Sequence, residues 1–117
     1  CLGADEKYQK DIHMAKTDDH LKKTIHVFLR EVRKKYRIAG AYIYGSFAKG
    51  TSHRWSDIDL AVISPDFSDD LFEDRLHLMR IAACIDDRIE PRPFKKGLFN
   101  RNDPLVDEIQ KNGVQIL

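Results

Sequence analysis

Asp57 and Asp59 stand one residue apart and open an apolar run, Leu60 to Ile63. In a strand, side chains alternate between faces, so the two carboxylates share one face while Ile58 and Leu60 take the other. Carboxylates so placed repel unless a cation or proton lies between them, and hard oxygen donors suit Mg²⁺ or Mn²⁺. Magnesium takes only one or two protein carboxylates and fills its shell with waters and phosphate oxygens, so a phosphate compound is the expected substrate. Gly45-Ser46, ten residues upstream, closes a second short apolar strand of Tyr42, Ile43 and Tyr44. There Gly45 lets the backbone come close to an anion and Ser46 adds a hydroxyl. A helical turn starting at Ser46 would aim free N–H groups at the same place. In the intervening loop, Lys49 and Arg54 either neutralise a triphosphate or are ordinary loop charges. His53 reads as a solvated loop histidine, and Trp55 either stacks on a base or, the simpler reading, anchors the loop.

Gly45-Ser46, ten intervening residues and Asp57-Ile58-Asp59, with Ala48, Gly50 and Ser56 between them, resemble the signature of the DNA polymerase β-like nucleotidyltransferase superfamily. The brevity of the chain resembles its minimal nucleotidyltransferase (MNT) branch. The resemblance implies that Asp57 and Asp59 hold two Mg²⁺ ions, with Mn²⁺ an alternative. One orients the phosphates of a nucleoside triphosphate, expected to be ATP, helped by Gly45 and Ser46. It also implies a third acid on a neighbouring strand. Glu90 is favoured, because Ile89-Glu90-Pro91-Arg92-Pro93 is similar to sequences of the minimal branch, while Asp86 and Asp87 compete and otherwise read as turn residues. Glu90 would be a metal ligand, a general base or both. Members of this branch resemble the antitoxin half of toxin–antitoxin pairs whose partner is an all-helical HEPN ribonuclease, and some transfer AMP to a tyrosine of that partner. The resemblance therefore implies protein AMPylation from ATP. Two alternatives stay open: a toxin-binding antitoxin module without catalysis, and a transferase acting on a small molecule of aminoglycoside type or on a nucleic-acid end.

The elements that must position these residues follow in order. Residues 1–13 have no helical or strand period and precede Met14; they read as an expression leader, and residues 14–117 as a single nucleotidyltransferase domain. From Thr17, with Asp18 and Asp19 as cap and first-turn acids, Leu21, Ile25, Phe28, Leu29, Val32 and Tyr36 recur at helical spacing. Its other side, with Lys22, Lys23, Arg30, Arg33 and Lys34, reads as a solvated basic face, or else as a surface for phosphate or an acidic partner. Ser68, Asp69 and Asp70 predict a second helix reaching about Ile85, with Phe72, Leu76, Met79 and Ala83 in one apolar stripe and Leu71, Leu78, Ile81 and Ile85 nearly in another. A polar strip of Asp70, Glu73, Asp74, His77 and Arg80 remains. So widely apolar a helix is either covered on both sides or presents a face to another chain, and the second is preferred. A third short strand follows around Glu90, confined by its prolines to an edge or an ending. Asp103-Pro104 starts a helix through Lys111, and residues 114–117 form a last extended piece able to join the sheet edge. The order predicts an α+β fold: a small mixed β-sheet with helices packed mainly on one face. The resemblance specifies the nucleotidyltransferase fold.

The 117 residues, 42% hydrophobic and 33% charged, suffice for one core. A net charge of +1 and a pI of about 8.0 advertise neither nucleic acid nor membrane as a partner. Cys1 and Cys84 form no metal spacing, and Cys84 reads as a buried reduced thiol in a cytoplasmic protein. No apolar run reaches the length of a membrane span. So short a chain is nearly used up in building its sheet, so acceptor recognition is expected to need a second subunit, either a HEPN-type partner or another copy of the chain.

Overall fold

The computed structural model describes residues 19–50, 56–100 and 102–117. The leader, the Thr17–Asp18 cap and the loop residues His53, Arg54 and Trp55 lie outside the described residues, as does the side chain of Lys49.

The first helix, α1 (Asp19–Val32), is followed by β1 (Gly40–Tyr44), a single turn α2 (Ser46–Lys49), β2 (Ile58–Ser64) and α3 (Leu71–Ala83). After these come β3 (Ile89–Lys95), a 3-10 turn (Lys96–Leu98), α4 (Pro104–Asn112) and β4 (Val114–Gln115). The sheet order is β3-β2-β1-β4, with β1 antiparallel to β2 and β4, and β2 parallel to β3. A parallel neighbour requires a crossover, which α3 supplies. The α+β reading and the mixed sheet hold.

β3 is an edge strand, as its prolines demanded. Its pairing with β2 runs unbroken through Leu60 opposite Pro91 and Val62 opposite Pro93. The missing N–H groups must therefore face outward, where no ladder bond is lost.

The core lies on the face shared by Ile43, Ile58, Leu60 and Val62, against Ile25, Phe28, Leu29 and Val32 of α1 and Leu78 and Ala82 of α3. The opposite face carries Tyr42, which stacks on Phe99 at 5.7 Å, and Phe94, which meets Phe99 edge-on at 5.2 Å. Val106 and Ile109 of α4 are fully buried as well. Asp70 caps α3 through the N–H of Glu73, and Asp103 caps α4 through that of Leu105.

In α3 the stripe of Phe72, Met79 and Ala83 faces solvent, with Phe72 71% exposed, and Leu78 and Ala82 are the buried positions, so the helix leaves one apolar face uncovered, as preferred. Both stripes are apolar, so spacing alone could not say which one turns inward. Two expectations need correction. Asp74, assigned to the polar strip, is 5% exposed. It is held there by Ser68, whose N–H and hydroxyl donate at 2.7 and 3.1 Å, and by the Tyr36 hydroxyl, which donates at 3.4 Å. Cys84 is exposed rather than buried, because α3 stops at Ala83 and Cys84 caps its end.

Candidate active site

Asp59 occupies the middle of the site because of its register. It lies opposite Tyr44 across the β1–β2 pair and opposite Glu90 across the β2–β3 pair. Of the three competing acids, it is thus Glu90 that the sheet brings beside Asp59. Asp86 is engaged elsewhere: it accepts from the N–H of Arg88 at 2.9 Å and pairs with its guanidinium at 3.0 Å. Burial works against its charge, but Arg88 holds the carboxyl below the usual range. Asp87 is exposed in the turn before β3. The backbone bond from Ile58 N–H to the Arg88 carbonyl, at 2.7 Å, ties the two strand starts together.

Gly45 is where β1 turns into α2, and its φ of 73° and ψ of −145° fall near the region only glycine visits freely. A Cβ there would collide with Oδ2 of Asp59 and stand 3.1 Å from its Cγ. Gly45 is thus required for the carboxylate to occupy its place, a tighter constraint than approach to an anion alone. Ser46 begins the single helical turn, as anticipated, and Phe47 plugs that turn into the core.

The electrostatics are those of an undercompensated acid cluster. Burial, then the charges of Asp57 and Glu90, push the Asp59 carboxyl above the usual range, against the pull of Arg92. Asp57 is exposed at the start of β2. Among the described residues no group of three or more acidic, histidine or cysteine side chains is placed to hold a metal ion. An all-oxygen donor set of one central and two flanking carboxylates still fits magnesium, which takes one or two of them and completes its shell elsewhere.

Two arginines and a tyrosine also belong here that sequence reasoning did not single out. Arg92 lies two residues beyond Glu90 and so on the same face of β3, a placement that strand alternation could have given. Burial pushes the Tyr44 phenol up and the neighbouring Arg92 pulls it down. Arg75 reaches from α3 to within 3.8 Å of Glu90, and its Nε is buried without a hydrogen-bond partner. No sequence signal marks Arg75, since a helical arginine is ordinarily solvated.

A mixed sheet with a glycine turn against one of its acids defines a small α+β domain of the nucleotidyltransferase fold. The nucleotidyltransferase domain family matches residues 25–114, and the chain belongs to that family. A protein adenylyltransferase, MntA of Shewanella oneidensis, is 37% identical over 49 residues, which span 42% of this chain and 34% of that relative. The chain is also similar to a toxin–antitoxin solved with AMP-PNP, at 26% identity and a TM-score of 0.60 over 82% of this chain and 72% of the other. A mutant of the toxin–antitoxin MntA-HpeT gives 25% identity and a TM-score of 0.57 over the same shares. Among the described residues no helix is long and apolar enough to cross a membrane.

Proposed function

We propose that this chain is a metal-dependent nucleotidyltransferase that moves AMP from ATP to a hydroxyl of a partner protein, a tyrosine of a HEPN-type toxin, and so serves as its antitoxin. The observation that carries the reading is Asp59, seated between Gly45 and Glu90, with its charged form disfavoured by burial and by two neighbouring acids. A carboxylate so placed awaits a cation. The adenylyltransferase name of one relative and the AMP-PNP bound to another support the donor assignment.

Asp57 and Asp59 would hold the magnesium, with Glu90 at its flank. The bound ion would draw charge from the phosphate oxygens and lower the pKa of the acceptor hydroxyl. The Gly45 backbone and the Ser46 hydroxyl hold the β- and γ-phosphates, and Lys49 and Arg54 are the loop cations assigned to neutralise them. The acceptor oxygen forms a bond to the α-phosphorus as the bond to the bridging oxygen of pyrophosphate breaks, and the hydroxyl proton passes to the Glu90 carboxylate. Pyrophosphate leaves. The positive charge of Arg92 favours the ionised form of Asp59.

The test is incubation with α-³²P-ATP and Mg²⁺, with and without the helical neighbour. Label on the neighbour that requires both aspartates, absent with Asp57→Asn/Asp59→Asn, is the expected result. A tight complex that never takes label would instead make the chain a binding module without catalysis.

A further inference from the structure

A groove of about 410 Å³ crosses the β3 edge between the start of α3 and the start of α4. Its walls are apolar, with Phe72, Phe94, Leu98 and Leu105, and the guanidinium-bearing residues Arg75 and Arg92 also line it. Both of those arginines adjoin the acid cluster, Arg75 at 3.8 Å from Glu90 and Arg92 two residues beyond Glu90 on the same face of β3. The groove is therefore continuous with the site. Phe72 and Leu98 are 71% and 62% exposed, two large apolar side chains left in solvent on one depression.

We propose that this groove docks the acceptor polypeptide, a segment of apolar and acidic residues that presents its hydroxyl beside Glu90; the proposal rests on the transferase reading above. Three observations select this occupant. The first is direction. Gly45 and Ser46, which would hold the departing pyrophosphate, lie on the β1 side of Asp59, while Glu90 and the groove lie on the β3 side. In-line displacement brings the attacking oxygen from the side opposite the leaving group.

The second is charge. Lys95 in the groove wall is already paired with Asp69 at 2.6 Å, and the Asp103 carboxylate is occupied as the cap of α4. Arg75 is shared with Glu90 at 3.8 Å, so what faces an incoming chain is the exposed Arg92, whose guanidinium would pair with a carboxylate. The third is the edge itself. Pro91 and Pro93 deprive β3 of outward N–H groups, so an occupant cannot add as a strand and must be read by its side chains. The exposed stripe of Phe72, Met79 and Ala83 begins at the groove and extends the apolar surface along α3.

The test measures binding and transfer separately. A fluorescein-labelled peptide, Glu-Glu-Leu-Tyr-Leu-Glu-Glu, is titrated by anisotropy against the whole chain, beside the same peptide with lysine in place of each glutamate. The acidic peptide is expected to bind at least about tenfold tighter than the basic one, and Phe72→Asp and Leu98→Asp each to weaken it about tenfold. Both positions are exposed, so these variants fold, and ATP binding in the same samples is expected to stay unchanged. Absence of binding, equal binding of the two peptides, or indifference to both substitutions overturns the proposal. Displacement of the peptide by oligo-dT also overturns it, by making the groove a nucleic-acid site. Transfer is then read with α-³²P-ATP and Mg²⁺. A peptide that binds in the groove yet takes no label leaves the docking standing and the transferase reading refuted. Label that ignores Phe72→Asp and Leu98→Asp refutes the docking and spares the transferase.

Discussion

Replacing Gly45 by alanine probes the fold and the site with one methyl group. Its backbone sits at φ 73° and ψ −145°, a region that costs a residue with a Cβ about 1–3 kcal/mol. The new carbon would also overlap Oδ2 of Asp59, and it is the carboxylate tip, not backbone, that stands in the way. Asp59 relieves the overlap by leaving its rotamer, at about 0.5–1.5 kcal/mol. The sum is about 1.5–4.5 kcal/mol, which for a domain of this size lowers the melting temperature by roughly 6–18 °C. The functional loss should be larger than the stability loss implies, because the displaced atom belongs to the proposed metal ligand. Misplacement by about 1 Å costs on the order of 100-fold in rate. Urea denaturation followed by circular dichroism gives the first quantity, and α-³²P-ATP transfer per folded molecule gives the second. Asp74→Ala, destabilised to a similar degree without contact to Asp59, is the control and should transfer normally per folded molecule. If Gly45→Ala keeps wild-type transfer, or loses it only in proportion to its unfolded fraction, the dependence of Asp59 on Gly45 is wrong.

The Asp74→Ala variant should itself lose about 2 kcal/mol, since it removes the bonds that the buried carboxylate accepts from the Ser68 N–H and hydroxyl; a urea midpoint within error of wild type would refute the network. Asp59→Asn should abolish transfer and yet stabilise the metal-free chain at neutral pH. The folded pKa of Asp59 is raised, so its contribution to stability is full below the unfolded value and is lost as pH rises through the folded one. The gain is read as a higher urea midpoint, and a lower midpoint would contradict it. Asp66 has the opposite sign. Its bonds from the Arg37 side chain and N–H hold it at about 2, against 3.8 unfolded, so its contribution is complete above about 3.8 and lost as pH falls through about 2. Arg37→Ala should lower the stability plateau above about pH 3.8 and leave stability below about pH 2 unchanged, so that the acid limb flattens, and an unaltered limb would show that the pair does not matter.

Most of this architecture was legible because the elements carry single-period signals. The alternation around Asp57, Asp59 and Glu90 put each acid on one face, and the register of β2 on β3 then made Asp59 and Glu90 neighbours. The prolines of β3 announced an edge, and the Asp103-Pro104 start of α4 was read to the residue. What escaped depended on contacts distant in sequence. The burial of Asp74 is decided by Ser68 and by Tyr36 from beyond α1, which no local pattern encodes. The two apolar stripes of α3 offered no contrast, so packing against α1 and β3 chose between them. Arg75 entered the site because α3 crosses beside β3, a consequence of the crossover and not of its neighbours in the chain.

The same crossover sets an order of assembly. β1 and β2 are strands adjacent in sequence and pair antiparallel, whereas β3 can join β2 only after the whole of α3 has been laid between them. Pairings that close longer loops form later, so Glu90 is delivered to Asp59 after β1 and β2 have paired. Repulsion that arises after the transition state leaves the folding rate almost untouched and accelerates unfolding instead. Repulsion within the acid cluster would thus shorten the lifetime of the native state, and the proposed cation would lengthen that lifetime without having to hasten folding.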